Sequence, residues 1–181
     1  MGTSASRGYR GRETPPGGWA ALRSAQVGTT VVMLRPAQID DLDSIVEIER
    51  ESFSDAWSEA SFRSLLGRSE VCFVVATCAD DKEEEVIGYI VATFAADQGE
   101  VANLAVRPEL RRSGHASRML DFIYREAVRR AATSIWLEVR ESNQSAIALY
   151  TAHGYRQMGR RARYYDDPQE DALVLSRNIY P

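Results

Sequence analysis

Short apolar runs bounded by charged or turn-forming residues predict strands in the first half of the chain. They cover 30–35, 71–77, 86–94 and 100–106. Apolar runs of this length, rich in β-branched residues, are typical of strands in a buried sheet. The acidic stretch 80–85 separates the second run from the third, which predicts a β-hairpin with a solvated tip.

Apolar residues at intervals of three or four positions predict helices between and after these strands. The first covers 40–53, where Leu42, Ile45 and Glu49 lie on or near one stripe, and a shorter second helix covers 57–66. Beyond residue 110 the predicted order is a helix over 114–130, a strand over 134–139, a helix over 144–153 and strands over 155–163 and 172–176.

This order of elements predicts an α/β fold with one domain over 31–181. We expect a mixed central sheet with antiparallel N-terminal hairpins, a parallel β-α-β core and helices on both faces. Residues 1–30 are rich in Gly, Ser, Arg and Pro and show no apolar period. They are expected to form a disordered leader, and they lack the hydrophobic region of a secretory signal.

The charge balance argues against a nucleic-acid partner. The chain of 181 residues carries 22 basic and 26 acidic side chains, a net charge of -4, whereas proteins that neutralise phosphates rely on basic surfaces. The leader is basic and the remainder of the chain is acidic. No apolar stretch approaches the ~20 residues that span a bilayer, so no membrane partner is expected.

The cysteines and histidines predict neither a disulfide nor a metal site. Cys72 and Cys78 belong to one apolar run, and six residues at ~3.3 Å each put them beyond bridging distance. A reducing compartment, the cytoplasm, is therefore expected. His115 and His153 do not have the spacing of metal ligands, and no metal is expected.

A basic loop with one glycine precedes the helix over 114–130. Gly114 can take a positive φ, and the first amides of a helix point outward without partners. With Arg111 and Arg112 beside them, these amides form an anion site suited to a pyrophosphate. The alternative is an ordinary loop with two solvated arginines, because the loop has neither the Walker A lysine nor the dinucleotide glycine pattern.

Two segments resemble the GNAT family of N-acetyltransferases. Arg111, Gly114 and Ala116 match the acyl-CoA loop of that family, Gln/Arg-x-x-Gly-x-Gly/Ala. The run WLEVRESNQSAIALYTAHGY at 136–155 resembles the signature of the RimI-type subgroup, the ribosomal-protein alanine N-acetyltransferases. Several fixed identities at fixed spacing make this run specific, and the resemblance extends over about residues 33–177.

The resemblance implies a GNAT-like domain with acetyl-CoA as its co-substrate. In the family, the strand that corresponds to Leu104, Ala105 and Val106 splays from its neighbour and frees amides for the thioester carbonyl and the pantetheine arm. Further cofactor-binding residues implied by the resemblance are Arg111, Arg112, Ser113, Gly114, His115, Ala116 and Asn143. Asn143 is also the expected N-cap of its helix.

Acyl transfer to an amine needs a base and a proton donor for the departing thiolate. Alternation along the strand over 134–139 puts Glu138 on its polar face, as a base or as the partner of Arg140 in an exposed ion pair. Periodicity makes Tyr150 a core or half-buried aromatic residue. The family uses these two positions as base and acid, which implies catalytic roles for Glu138 and Tyr150. A phenol of pKa ~10 keeps its proton at neutral pH and can protonate a thiolate of pKa ~8.5.

The acceptor is predicted from amine basicity and from the resemblance. Neutralising a protein α-amine of pKa ~7.7–8.0 at pH 7 costs about 1 kcal/mol, whereas a lysine of pKa ~10.4 costs about 5 kcal/mol. One carboxylate is therefore adequate for an N-terminal amine. RimI-type enzymes acetylate the N-terminal alanine of a small-subunit ribosomal protein, which implies a ribosomal protein as partner.

The resemblance also implies that Trp57, Tyr164 and Tyr165 shape the acceptor cleft, although the two tyrosines could equally pack at a strand edge. Two residues depart from the family pattern. Ala56 and Asp166 stand where relatives usually have proline. Both lie in substrate-side loops, so they put peptide selectivity in doubt and leave acetyl-CoA binding intact.

Two alternative functions remain open. The same fold and cofactor could serve a small-molecule amine or a lysine side chain. A regulatory module that binds acyl-CoA without catalysis is the other possibility, and the presence of both Glu138 and Tyr150 argues against it.

Overall fold

The computed structural model describes residues 24–27, 30–79 and 84–180. Most of the predicted leader and the tip of the predicted hairpin, 80–83, lie outside the described residues. Ser24–Val27, which belong to the predicted leader, form a strand. The sheet therefore begins before residue 31.

Eight strands and four α-helices make up the described part of the chain. The strands are β1 (Ser24–Val27), β2 (Thr30–Pro36), β3 (Val71–Ala79), β4 (Glu84–Ala95), β5 (Gln98–Val106), β6 (Ser134–Arg140), β7 (Arg156–Asp166) and β8 (Gln169–Asn178). The helices are α1 (Leu42–Ser52), α2 (Glu59–Arg63), α3 (His115–Arg129) and α4 (Gln144–Ala152). Short 3₁₀ turns at Ile39–Asp41 and Pro108–Leu110 precede α1 and follow β5.

The strands form one mixed sheet in the order β1-β2-β3-β4-β5-β6-β8-β7. Every pair is antiparallel except β5 with β6. The predicted parallel β-α-β core is thus confirmed for β5-α3-β6. The next crossover, through α4, ends on β7 at the sheet edge, because β8 lies between β6 and β7.

Helices cover both faces of the sheet, as predicted, and each face has its own core. On one face, α3 buries Met119 and Ile123 against the central strands, together with Tyr150 of α4. On the other face, α1 and α2 bury Ile45 and Phe62. Among the described residues, no helix is long and apolar enough to cross a bilayer.

Two boundaries differ from the prediction in ways that affect the site. The helix expected over 57–66 is limited to Glu59–Arg63, because the Ser58 hydroxyl accepts a hydrogen bond from the Ser61 amide (3.1 Å) and caps it. Trp57 therefore lies in the loop between α1 and α2. Strand β7 continues past the predicted end to Asp166 through an irregularity at Arg163, whose φ is 51°.

Candidate active site

Strands β5 and β6 pair for four residues and then separate. Their parallel register runs from Gln98 opposite Ser134 to Val101 opposite Leu137. Beyond these pairs, β5 continues alongside β4 to Val106, while β6 continues alongside β8. The two central strands therefore open into a V, which is the splay implied by the resemblance.

A bulge in β5 coincides with this separation. Val101 pairs with Ala92 and Asn103 pairs with Val91, so Ala102 is the extra residue. Past the bulge, no described strand pairs with β5 on the side that faces β6. The backbone of Leu104–Val106 thus borders the opening, with amide groups available to a ligand.

The N-terminus of α3 lies just after the end of β5. Gly114 takes φ 82° and has no side-chain cap, and a Cβ there would meet no atom within 4 Å. The first intrahelical bond runs from the Arg118 amide to the Gly114 carbonyl (3.1 Å). The amides of the first turn before Arg118 are therefore without intrahelical partners and point outward, with the positive end of the helix dipole behind them.

Arg111 and Arg112 differ in this loop. The Arg111 guanidinium donates to the Val106 carbonyl (3.0 Å) and to the Ser52 hydroxyl (2.9 Å), so it braces the loop against β5 and α1. Arg112 is exposed and takes φ 66°. Its neighbours Ser113 and Gly114 are exposed as well. Arg112 is therefore the arginine with the freer side chain for an anion.

His115 is half-buried at the first position of α3. Its Nδ1 atom is buried and finds no hydrogen-bond partner among the described residues. Burial, helped by the nearby Arg118, lowers the pKa of His115. The imidazole is therefore neutral at pH 7 and adds no charge to the loop. At α4, the Asn143 side chain accepts from the Ala146 amide (3.1 Å), which confirms the predicted N-cap.

Glu138 lies on the polar face of β6, as alternation predicted, because Leu137 and Val139 face the core with α3. Its carboxylate pairs with Arg161 of β7, with 2.9 Å between Oε1 and Nε. The alternative pairing with Arg140 is wrong. Arg140 instead contacts Glu170 (3.5 Å) and lies over the Tyr165 ring.

A cavity of about 270 Å³ opens beside Glu138. Glu100 of β5, Trp136 of β6 and Arg161 of β7 contribute to its walls. Two carboxylates and one guanidinium thus border the same space. A cationic amine that enters this cavity meets a carboxylate on each of two strands.

Tyr150, Tyr155 and Tyr165 are neighbouring phenols, and Tyr165 lies near Glu138 of β6. Tyr150 is buried and packs edge-on against Tyr155, with 5.7 Å between ring centroids. Burial, and then the neighbouring Tyr165, raise the pKa of Tyr150. Burial and Glu138 raise the pKa of Tyr165 to about 12. Tyr165 therefore lies near both predicted catalytic residues, and the raised pKa values keep the phenols of Tyr150 and Tyr165 protonated at pH 7.

Tyr164 belongs to the same group, whereas Trp57 faces a different core. A hydrogen bond with Glu138 raises the pKa of Tyr164, which is 45% exposed and lies edge-on to Tyr165. Trp57 packs on Phe62 of α2, with 5.5 Å between ring centroids. The structure brings Tyr164 and Tyr165 to the predicted base and puts Trp57 on the loop between α1 and α2.

Sequence reasoning missed two residues of this region. Arg161 was not predicted as the partner of Glu138, since the pairing depends on a strand order that no local pattern shows. Glu49 had a signal, because a carboxylate on the apolar stripe of a helix needs buried donors. Its carboxylate accepts from the Trp57 amide (2.8 Å) and from Asn103 Nδ2 (3.1 Å).

The described residues hold no group of three or more His, Cys, Asp or Glu side chains that could bind a metal ion. Among the described residues, Cys72 and Cys78 are not joined by a disulfide. His153 ends α4 and lies 3.3 Å from Asp121.

Comparison with known proteins gives consistent matches. The model of the acetyltransferase (GNAT) family matches residues 42–155. A [ribosomal protein bS18]-alanine N-acetyltransferase of Escherichia coli K12 is 30% identical over 141 residues, which are 77% of this chain and 92% of that protein.

Solved structures are similar over the same region. The crystal structure of the ribosomal-protein-S18-alanine N-acetyltransferase from Escherichia coli aligns with a TM-score of 0.72 at 27% identity, covering 82% of this chain and 94% of that chain. The structure of Arabidopsis thaliana NAA60 with acetyl-CoA aligns with a TM-score of 0.74 at 19% identity, covering 83% and 99%. The second likeness is one of fold alone.

Proposed function

Since this chain belongs to the GNAT family of acetyltransferases and to its RimI type, we propose that it acetylates the N-terminal α-amine of a protein with acetyl-CoA. The acceptor is the N-terminal alanine of a small-subunit ribosomal protein, met in the cytoplasm. The observation that carries the proposal is the V between β5 and β6, with Glu138 at one strand and the free amides of α3 beyond the other.

The residues around the V suit acetyl-CoA. The first amides of α3, from His115 and Ala116 onward, bind the pyrophosphate, assisted by Arg112 and Ser113. Arg111 holds the loop in place from beneath. The backbone of Leu104–Val106 binds the pantetheine arm and polarises the thioester carbonyl, as an oxyanion hole does. Acetyl-CoA supplies the activated acyl group.

Glu138 and Tyr150 handle the protons. Glu138 takes a proton from the acceptor ammonium, directly or through water, and leaves a neutral amine. The amine nitrogen forms the new bond to the acetyl carbon and loses its second proton to solvent as the carbon–sulfur bond breaks. Glu138 then releases the first proton to solvent. Tyr150 gives its proton to the departing thiolate, and solvent returns a proton to the phenol. Because the pKa of Tyr150 is raised, the proton is present at neutral pH.

Tyr164 and Tyr165 form the acceptor wall beside Glu138, and the loop that carries Trp57 borders this wall through the Ser54 hydroxyl, which donates to the Asp167 carbonyl (2.6 Å). Asn143 supports the cofactor side as the cap of α4. The neighbouring carboxylates Glu100 and Glu138 favour a positively charged peptide end. A basic protein N-terminus fits this charge, whereas an acidic one does not.

Thiol release from acetyl-CoA tests the proposal. The acceptor is a short basic peptide with a free N-terminal alanine and no lysine, and its control is the same peptide with a blocked α-amine. We expect release with the first peptide and none with the second. Equal rates with both would reject the N-terminal acceptor.

A second pair of acceptors separates the alternatives. A blocked peptide with one internal lysine and a set of small primary amines are assayed at the same concentration. Faster turnover with either would reassign the acceptor. Acetyl-CoA binding without transfer to any amine would identify a binding module and reject the enzyme.

A further inference from the structure

Glu49 is a buried carboxylate that the mechanism above does not use. It lies on α1 with 0% of its surface exposed. A charged group in such a place is costly unless several donors compensate it. All its hydrogen-bond partners in the described part of the chain are neutral groups, so the site is not a buried ion pair.

Three residues donate to this carboxylate. The Trp57 amide donates to Oε1 (2.8 Å), and Asn103 Nδ2 donates to Oε1 (3.1 Å) and Oε2 (3.2 Å). The Tyr89 hydroxyl donates a short hydrogen bond to Oε2. Burial, and then Glu49, raise the pKa of Tyr89, so this donor keeps its proton.

These donors come from two parts of the proposed site. Trp57 belongs to the irregular loop between α1 and α2, where the Ser54 hydroxyl also donates to the Asp167 carbonyl (2.6 Å). Asn103 follows the bulge of β5, where the strand leaves β6. Glu49 therefore joins the loop on the acceptor side to the strand on the cofactor side by direct hydrogen bonds.

We propose that Glu49 is a positioning residue that holds the acceptor loop, through the Trp57 amide, at a fixed place relative to β5. The expected effect on acceptor kinetics rests on the proposed function. The expected effect on the position of the loop rests on the hydrogen bonds alone. Loss of the carboxylate releases the loop. The acceptor then binds in a displaced position relative to the thioester.

Asp41 provides a matched control. It is also a buried carboxylate at the start of α1, where it pairs with Arg35 (2.7 Å) and accepts from the Gln38 amide (2.7 Å). In the described part of the chain, its carboxylate is hydrogen-bonded to neither the loop with Trp57 nor β5. Loss of either carboxylate lowers stability, but only the loss of Glu49 changes the acceptor loop.

The kinetic test compares Glu49→Leu, Glu49→Gln and Asp41→Asn with the wild type. Leucine removes every acceptor, and we expect the KM for the alanine peptide to rise at least tenfold, with the KM for acetyl-CoA changed less than twofold. Glutamine keeps one acceptor for the Trp57 amide, so we expect a partial effect. Asp41→Asn should leave the peptide KM within twofold. An equal rise in Asp41→Asn, or no rise in either Glu49 variant, overturns the proposal.

Hydrogen exchange tests the same contact without any acceptor. Exchange of the peptide over 53–58 should be faster in Glu49→Gln than in the wild type, while exchange in α3 is unchanged. Unchanged exchange over 53–58 overturns the proposal even if activity falls. If the wild type transfers no acetyl group to any peptide, the proposed function fails and the exchange result still decides the role of Glu49. Should Glu49→Leu not fold, Glu49→Gln carries both measurements.

Discussion

Arg161 and Glu138 form an ion pair in the wall of the cavity beside β6, with 2.9 Å between Nε and Oε1. The arginine side chain is 59% exposed and the glutamate side chain 16%. The base of the proposed reaction is thus occupied by a cation from its own chain. An acceptor ammonium has to displace this cation before Glu138 can take its proton.

We expect Arg161→Gln to lower the KM for a cationic acceptor peptide. Exposed ion pairs are worth ~0.2–1 kcal/mol, so the KM should fall by up to about fivefold. The difference should shrink at high salt, which screens the pair. Steady-state kinetics at two ionic strengths measure it. Arg163→Gln removes a charge from the same strand and keeps the ion pair, so it should not lower the KM, and an equal effect there contradicts displacement.

Glu138→Gln should reduce kcat by about 10²–10⁴-fold, the usual contribution of a positioned base. Acetyl-CoA binding, measured by calorimetry, should be unchanged, because the cofactor contacts lie on β5 and α3. Raising the pH should recover part of the lost rate, since solvent then supplies the neutral amine. Wild-type turnover in this variant would remove Glu138 as the base.

Tyr150→Phe keeps the edge-on packing against Tyr155 and removes one hydroxyl. We expect kcat to fall by about 10²-fold with little change in the midpoint of thermal unfolding, because the ring remains in the core. Tyr155→Phe is the matched control and should leave kcat unchanged. A large loss of stability with normal turnover would make Tyr150 a structural residue.

The variants Gly114→Ala and Gly67→Ala together separate the stability cost of alanine at a positive φ from an effect on cofactor binding. Both glycines take positive φ, 82° and 74°, and a Cβ at either would meet no atom within 4 Å. Alanine in this region costs ~1–2 kcal/mol, so both variants should lose similar stability. Only Gly114→Ala should raise the KM for acetyl-CoA, by several-fold, because it shifts the first amides of α3. An equal rise in both contradicts an anion site there.

The ionisation of Asp41 makes the stability of the folded protein depend on pH in the acidic range. Burial alone would raise its pKa, but hydrogen bonds from Arg35 and the Gln38 amide outweigh burial and lower the pKa of the Asp41 carboxyl. A lowered folded-state pKa stabilises the protein above the unfolded value of ~3.9, and this stability is lost as the pH falls through the folded pKa. Thermal unfolding should show a gap between the wild type and Asp41→Asn that is full at pH 7 and narrows below about pH 4. A constant gap contradicts the linkage.

Local pattern predicted the features that depend on near neighbours. Alternation along β6 predicts that Glu138 lies on one face of the strand and that Leu137 and Val139 lie on the other. The place of Asn143 before a helix predicts an N-cap. The loop at Gly114 is predicted because one apolar run typical of a strand ends shortly before a helical pattern begins. Each of these needs only a few residues along the chain.

The features that escaped prediction depend on long-range pairing. The insertion of β8 between β6 and β7 is invisible in sequence order, and so is the meeting of Arg161 with Glu138 across it. The helix predicted over 57–66 exists as α2, but it starts later than predicted because the Ser58 cap excludes Trp57. In the network at Glu49, Tyr89 and Asn103 lie 40 and 54 positions away along the chain, and only Trp57 is a near neighbour.

The place of β8 has a consequence for residue 161. Val174 of β8 lies between Glu138 of β6 and Gly159 of β7, and Ala172 lies between Arg140 and Arg161. Two strand spacings, roughly 9.6 Å, therefore separate β6 from β7. A side chain on β7 has to arch over a whole strand to touch Glu138. The order of strands thus sets a minimum side-chain length at position 161, because a shorter side chain there does not reach Glu138.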